Sequence, residues 1–240
     1  MPQPFLSVVI PTFNEEARIR ETLSQVIEYL SGRDYQWEVV VADDGSTDHT
    51  AQLVGQAVVE HSNVRVLRLP HRGKGWAVKN GMLAAVGEYR LLCDADLSVP
   101  IEHVERLLPG ESGQPVSDVV LGSREAAGAV RIGEPARRHL MGRFFNFLVS
   151  RLAVPGLADT QCGFKCFRGE AAQDLFPRLT LDGFAFDVEL LYLARKLGIS
   201  YSEVGIDWHY RPQSKVRPLQ DSLAMTLDLL KIRWRHRNPV

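Results

Sequence analysis

The chain has no apolar run approaching the roughly 20 residues that a bilayer-spanning helix requires. Its start, Met1-Pro2-Gln3-Pro4, has neither the basic segment nor the apolar stretch of an export signal. The expectation is a cytoplasmic protein without a membrane span of its own. Cysteine is scarce: Cys93, Cys162 and Cys166 are the only three in 240 residues. With no CxxC pair, they point to a reducing compartment and to thiols used as small core residues. No further Cys or His cluster completes a metal site around Cys162 and Cys166. Two phosphate loops are also missing. No GxGxxG follows the first apolar run and no GxxxxGK[ST] occurs anywhere, which argues against a dinucleotide oxidoreductase and a P-loop ATPase. With 45% hydrophobic and 24% charged residues, what remains is an ordinary globular composition for one large domain.

The net charge of -1 is unevenly spread. Residues 124–151 carry six arginines against Glu125 and Glu134. Residues 205–240 carry seven Lys or Arg against Asp207, Asp221 and Asp228. Two basic segments late in a nearly neutral chain suggest a local anionic partner, or else solvated helix faces. Neither segment follows a recognised nucleic-acid-binding pattern with interleaved aromatic stacking residues, so nucleic acid is not expected.

The first 125 residues alternate strand and helix patterns. Leu6 to Ile10, Trp37 to Ala42, Val64 to Leu69 and Tyr89 to Cys93 read as buried strands. Between them, Ile19, Leu23, Val26, Ile27 and Leu30 mark one helix face closed at Gly32, and a further helix runs from Gly73-Lys74-Gly75 to about Val86. Such alternation predicts right-handed βαβ units and a mostly parallel sheet flanked by helices. Further on, strands are expected over 117–121, 161–167 and 201–209, and helices over 137–152, 186–197 and 219–235. No linker divides the chain.

In a parallel sheet, ligands bind beyond the carboxyl ends of the strands. Thr12 to Glu16, Asp43 to Asp48 and Asp94 to Asp96 lie at those ends. The two carboxylates of Asp94-Ala95-Asp96 can grip a hard divalent cation, Mg²⁺ or Mn²⁺, and leave positions for phosphate oxygens. Asp43-Asp44-Gly45-Ser46 suits contact with a base or ribose, or the cap of the next helix. His71-Arg72-Gly73-Lys74-Gly75 suits phosphate contact or a flexible surface loop.

Val8 to Glu15, Val41 to Asp48, Lys74-Gly75 and Asp94-Ala95-Asp96 follow the order and spacing of inverting family 2 glycosyltransferases, whose fold is GT-A, a Rossmann-like α/β architecture with C-terminal acceptor-side elements. Leu121 to Arg124, Asp159 to Lys165, Gly183 to Leu191 and Ser214-Lys215-Val216 resemble the dolichyl-phosphate β-glucosyltransferase and polyprenyl-phosphate branch. The resemblance spans about residues 6–220. It implies a nucleotide-sugar half over about 1–125 and an acceptor half with a basic helix over about 126–240.

The resemblance also implies site roles. Pro11, Phe13, Glu15, Asp43, Lys74 and Asp94 would serve the nucleotide sugar, with Arg211 and Lys215 closing over its diphosphate. Asp96, with Asp94, would hold the metal. Arg124, Arg137, Arg138 and Gln161 would hold the acceptor, and Asp187, Asp96 and Arg124 would act in catalysis, Asp187 as base or as organiser. The expected reaction moves a hexose, glucose first among them, from a UDP-sugar to a polyprenyl phosphate. A hydroxyl acceptor and a nucleotide-sugar-binding protein without turnover are the alternatives. Around Arg137 to Arg151, and again along Lys231 to Arg237 with Trp234, basic residues beside apolar ones suit peripheral contact with an anionic membrane.

Overall fold

A computed structural model describes residues 3–110, 117–135, 149, 154, 156–211 and 218–237, with no account of the side chains of 218–226. Its strands are β1 (Leu6–Thr12), β2 (Trp37–Asp43), β3 (Val64–Arg68), β4 (Tyr89–Cys93), β5 (Val119–Ser123), β6 (Val130–Ile132), β7 (Phe164–Arg168), β8 (Tyr201–Gly205) and β9 (Asp207–His209). The described helices are α1 (Ile19–Ser31), α2 (Thr50–Glu60), α3 (Lys74–Ala84), α4 (Gly169–Leu175), α5 (Phe186–Leu197) and α6 (Pro218–Arg235). A 3-10 helix covers Ile101–Arg106.

Seven strands form one sheet in the order β3-β2-β1-β4-β7-β5-β8. Only β7 runs antiparallel to its neighbours, β4 and β5. Every residue of β1 is buried, because apolar side chains on both faces meet helices. Val8 and Ile10 pack with Ile19, Leu23 and Val26 of α1, whereas Val9 turns to the opposite layer with Val78 and Met82 of α3. Full burial of each such side chain contributes about 1.5–3 kcal/mol. The chain grows outward from β1 through β2 to β3, then returns to place β4 on the other side of β1. That reversal opens a crevice between the carboxyl ends of β1 and β4.

Four expectations need correction. The segment 201–209 is two strands in two sheets. At the buried Ile206 the chain changes partners, its N–H donating to Ser123 and its carbonyl accepting from Val130. The strand expected from Gln161 starts only at Phe164, since residues 159–163 turn in front of it. Asp43 and Asp44 do not cap α2; the Thr50 N–H donates to Asp48 instead (2.9 Å). The glycine-rich loop before α3 is held at both sides rather than being a free surface loop. The helix expected over 137–152 lies largely outside the described residues. All three cysteines are buried and free, and burial pushes the Cys162 and Cys166 thiols up to about 12.

Candidate active site

Three loops meet at the carboxyl edge. After β1, the Phe13 ring stacks on His71 with centroids 4.0 Å apart. Asn14 takes a positive φ of 51°, and its N–H donates to Ser46 Oγ (2.9 Å) while its Oδ1 accepts from the Thr47 N–H (2.8 Å). Glu15 pairs with Arg18 at 2.8 Å, and its N–H donates to Thr50 Oγ1 (2.7 Å). Pro11 is buried within β1 beside Ala42. Asp43, at the end of β2, is buried and accepts from Thr12 Oγ1 (3.3 Å) and from the Ser46 N–H and hydroxyl. These bonds knit the first two loops into one wall.

Its neighbour Asp44 acts on the third loop. The buried carboxylate accepts from His71 Nδ1 (2.7 Å) and from the N–H groups of Arg72 (3.0 Å) and Gly73 (2.9 Å). On the far side, a Cβ at Gly73 would lie 2.5 Å from the Asp182 carbonyl, and its φ of +133° also demands glycine. Clamped from both sides, the loop delivers Lys74 to the crevice.

There Lys74 Nζ meets Asp94 Oδ1 at 2.7 Å, and Lys165 Nζ meets Asp187 Oδ1 at 2.6 Å. Burial alone would lower the Lys74 pKa, but Asp94, Asp187 and Asp96 outweigh it and hold the ammonium above the usual lysine range. Burial pushes the Asp187 carboxyl up, against the pull of Lys165 and Lys74. The four side chains form a row of alternating charge, Asp94, Lys74, Asp187 and Lys165, from the tip of β4 to the start of α5. Each charge is thereby paired where desolvation would otherwise neutralise it.

The residues around Asp94 fit a hard cation. A Cβ at Gly163 would stand 2.0 Å from Asp94 Oδ2, so only glycine leaves that carboxylate its place. Asp96 Oδ1 accepts from the Ser98 N–H (2.9 Å), which aims its carboxylate. Asp94 and Asp96 share a small crevice with Cys162, Gly163 and Trp208. No group of three or more His, Cys, Asp or Glu suited to a metal occurs among the described residues. Two carboxylates are the complement expected where substrate phosphates supply the remaining oxygens.

Beyond the end of β5, Arg124 is bound bidentately by Asp159, Nε at 2.6 Å and Nη2 at 2.8 Å. This buried pair holds the Asp159 carboxyl far below the usual range despite burial, and the arginine above its own. Glu203 of β8 fixes Asp159 in turn by accepting the N–H groups of Ala158 and Asp159 (2.7 and 2.8 Å). The Gln161 N–H donates to the same Asp159 carboxylate (3.2 Å). Arg211 is exposed just beyond Tyr210. Arg137, Arg138 and Lys215 lie outside the described residues.

Sequence reasoning placed Asp44, Asp159, Gly163 and Lys165 within motifs without reaching the roles they take here, and it missed Glu203. Lys165 did carry a signal: a lysine within the apolar run Phe164-Lys165-Cys166-Phe167 must be buried, and a buried lysine needs a carboxylate.

A sheet that reverses its strand order beneath paired carboxylates and lysines has the ligand crevice of an open α/β fold. Comparison with known proteins narrows the class. The family model described as "Glycosyl transferase family 2" matches residues 7–176, and the chain belongs to that family: it is a glycosyltransferase of the GT-A fold. Dolichyl-phosphate beta-glucosyltransferase of Homo sapiens is 38% identical, covering 98% of this chain and 76% of that protein. Those of Dictyostelium discoideum and Saccharomyces cerevisiae are each 36% identical, covering 97% and 95% of this chain and 75% and 74% of theirs. Among solved structures, glucosyl-3-phosphoglycerate synthase from Mycobacterium tuberculosis superposes with a TM-score of 0.67 at 23% identity, covering 99% of this chain and 82% of that one. The same enzyme has also been solved with Mn²⁺, UDP-glucose and glycerol 3-phosphate, at a TM-score of 0.65.

Proposed function

We propose that the protein moves glucose, with inversion, from UDP-glucose to a polyprenyl phosphate, with Mn²⁺ or Mg²⁺ held by Asp96 and Asp94. The observation that carries this reading is the alternating row of Asp94, Lys74, Asp187 and Lys165 at the strand-order reversal, in a chain whose relatives are named for this reaction. An acceptor phosphate oxygen attacks the anomeric carbon as the bond from that carbon to the β-phosphate oxygen breaks. UDP leaves with the bond's electron pair. The cation supplies charge stabilisation at the diphosphate when bound. Lys74, tied to Asp94, adds a fixed positive charge beside it. A lipid phosphate is already anionic near neutral pH, so Asp187 needs to remove no proton. With Oδ1 on Lys165, it acts as an organiser of the site. On this reading Arg124, set by Asp159, serves the acceptor, the role the family resemblance also gives Arg137, Arg138 and Gln161, while Arg211 and Lys215 are assigned to the donor diphosphate. A polyprenyl acceptor resides in a bilayer, so the enzyme works at a membrane surface, and we place it in peripheral contact with the cytoplasmic face. No described helix is long and apolar enough to cross a membrane.

The test is transfer from a panel of UDP- and GDP-sugars, with Mg²⁺ or Mn²⁺, to a short-chain polyprenyl phosphate. A glucosyl phospholipid from UDP-glucose is expected. Donor binding without lipid product would shift the acceptor to a hydroxyl, and binding of neither donor class would overturn the proposal. Asp96→Ala should weaken calorimetric UDP affinity in Mn²⁺ by at least about tenfold, or about 1.4 kcal/mol. Unchanged affinity would remove Asp96 from the site.

A further inference from the structure

From residue 227 onward, α6 has two apolar faces, and the fold uses one. Leu229 and Ile232 are fully buried in the core layer with α5. Leu227, Leu230 and Trp234 are instead 54%, 59% and 65% exposed. At about 100° per residue these three fall within about 60° of arc, opposite the buried pair. By the same spacing Lys231 and Arg235 lie on one side of the stripe and Arg233 on the other, and Arg237 follows the end of the helix. The Arg237 guanidinium lies 5.7 Å from the Trp234 ring centroid. Asp228, the one acid on this stretch, is paired with Lys231 at 2.7 Å.

We propose that this face of α6 is a docking surface for an anionic lipid bilayer, with Leu227, Leu230 and Trp234 entering the headgroup–acyl boundary. A narrow apolar stripe flanked by long cationic side chains matches such a surface. The apolar groups leave water, Trp favours the boundary, and the cations reach back to lipid phosphates along their own alkyl stems. Charge complementarity selects a bilayer over a second copy of this chain. Two α6 faces brought together would oppose one net-positive stretch, four basic residues against Asp228, to another.

The placement also fixes how the body sits on the membrane. Past the end of α6, His236 Nε2 bonds the buried Glu189 of α5 (2.7 Å), and Arg235 donates to the Thr180 carbonyl (3.1 Å) and hydroxyl (2.9 Å). Glu189 also accepts the N–H groups of Thr180 and Leu181 (both 2.9 Å). Those residues continue into Asp182 and Gly183, against which the Lys74 loop packs. The docking helix and the catalytic crevice are therefore parts of one clasped unit. This surface is independent of the acceptor assignment, and would stand if the enzyme used a soluble hydroxyl.

The experiment is flotation of the full chain with vesicles of phosphatidylcholine alone, or with about 30 mol% phosphatidylglycerol, at low and high salt. Binding is expected only to the anionic vesicles, weakened at high salt. The double variant Leu230→Glu/Trp234→Glu changes two solvent-facing residues outside the site. It should lower partitioning at least tenfold while keeping the wild-type melting temperature and wild-type transfer to a detergent-dispersed short-chain acceptor. Wild-type protein that fails to float with anionic vesicles would overturn the proposal. So would a variant that floats equally well, or lipid-free self-association that the same variant abolishes. Flotation needs no turnover, so failure of the transfer assay leaves this result readable.

Discussion

Lys165 occupies a position where a strand residue is normally apolar, with no exposed side-chain surface. Its ammonium is tolerated because Asp187 lies 2.6 Å away and the Cys162 carbonyl 2.5 Å away. Lys165→Met should therefore cost about 3–5 kcal/mol, since it strands a buried carboxylate. Adding Asp187→Asn should recover part of that loss, which chemical denaturation of the single and double variants would measure. Equal destabilisation by all three would show that the pair is not coupled. Gly163 makes a different demand. Gly163→Ala should leave the melting temperature within a few degrees while displacing the Asp94 carboxylate. The expected result is at least tenfold weaker cation-dependent UDP binding by calorimetry. A wild-type affinity would mean that Asp94 has room to yield.

At the scale of elements, β8 supports Arg124 through its Glu203 carboxylate, which holds the turn that carries Asp159. The Asp159–Arg124 pair has a pH signature. Asp159 has its carboxyl depressed well below the unfolded value of 3.8, so its stabilisation is fully present above that pH. It is lost progressively as pH falls from there toward the depressed folded value. Asp159→Asn should cost about 3–5 kcal/mol at pH 7, and the gap to wild type should narrow as pH drops below about 4. Urea melts from pH 7 to pH 3 would show it, and a pH-independent gap would contradict the assignment. Strong single-face patterns located α1 and α5 from residue spacing, because burial of one stripe suffices to place a helix. The break in 201–209 was illegible: whether Ile206 continues one ladder or crosses to another depends on Ser123 and Val130, distant in sequence.

Across the whole molecule, Glu189 links segments far apart in the chain. Buried in α5, it accepts from Thr180, Leu181 and His236 and so fastens the end of α6 to the segment that braces the Lys74 loop. Glu189→Ala would leave those donors unpaired. A loss of about 3 kcal/mol or more is expected, lowering the melting temperature by roughly 6–12 °C. Donor affinity should weaken as well, because the brace behind Gly73 loosens. A lowered melting temperature with wild-type UDP affinity would separate the clasp from the site.

The sequence alone determined the alternating α/β class, the carboxyl-edge clusters and the Asp94–Asp96 pair, because periodic burial and strand-end chemistry are local properties. Its motifs also indicated the family. Tertiary structure decided which charges meet. Lys74 and Asp94 are 20 residues apart in sequence, Lys165 and Asp187 are 22, and Arg124 and Asp159 are 35. Nothing local binds these pairs. They form because the reversal at β1 and β4 and the antiparallel insertion of β7 bring their backbones together, and because a charge removed from water must find its opposite.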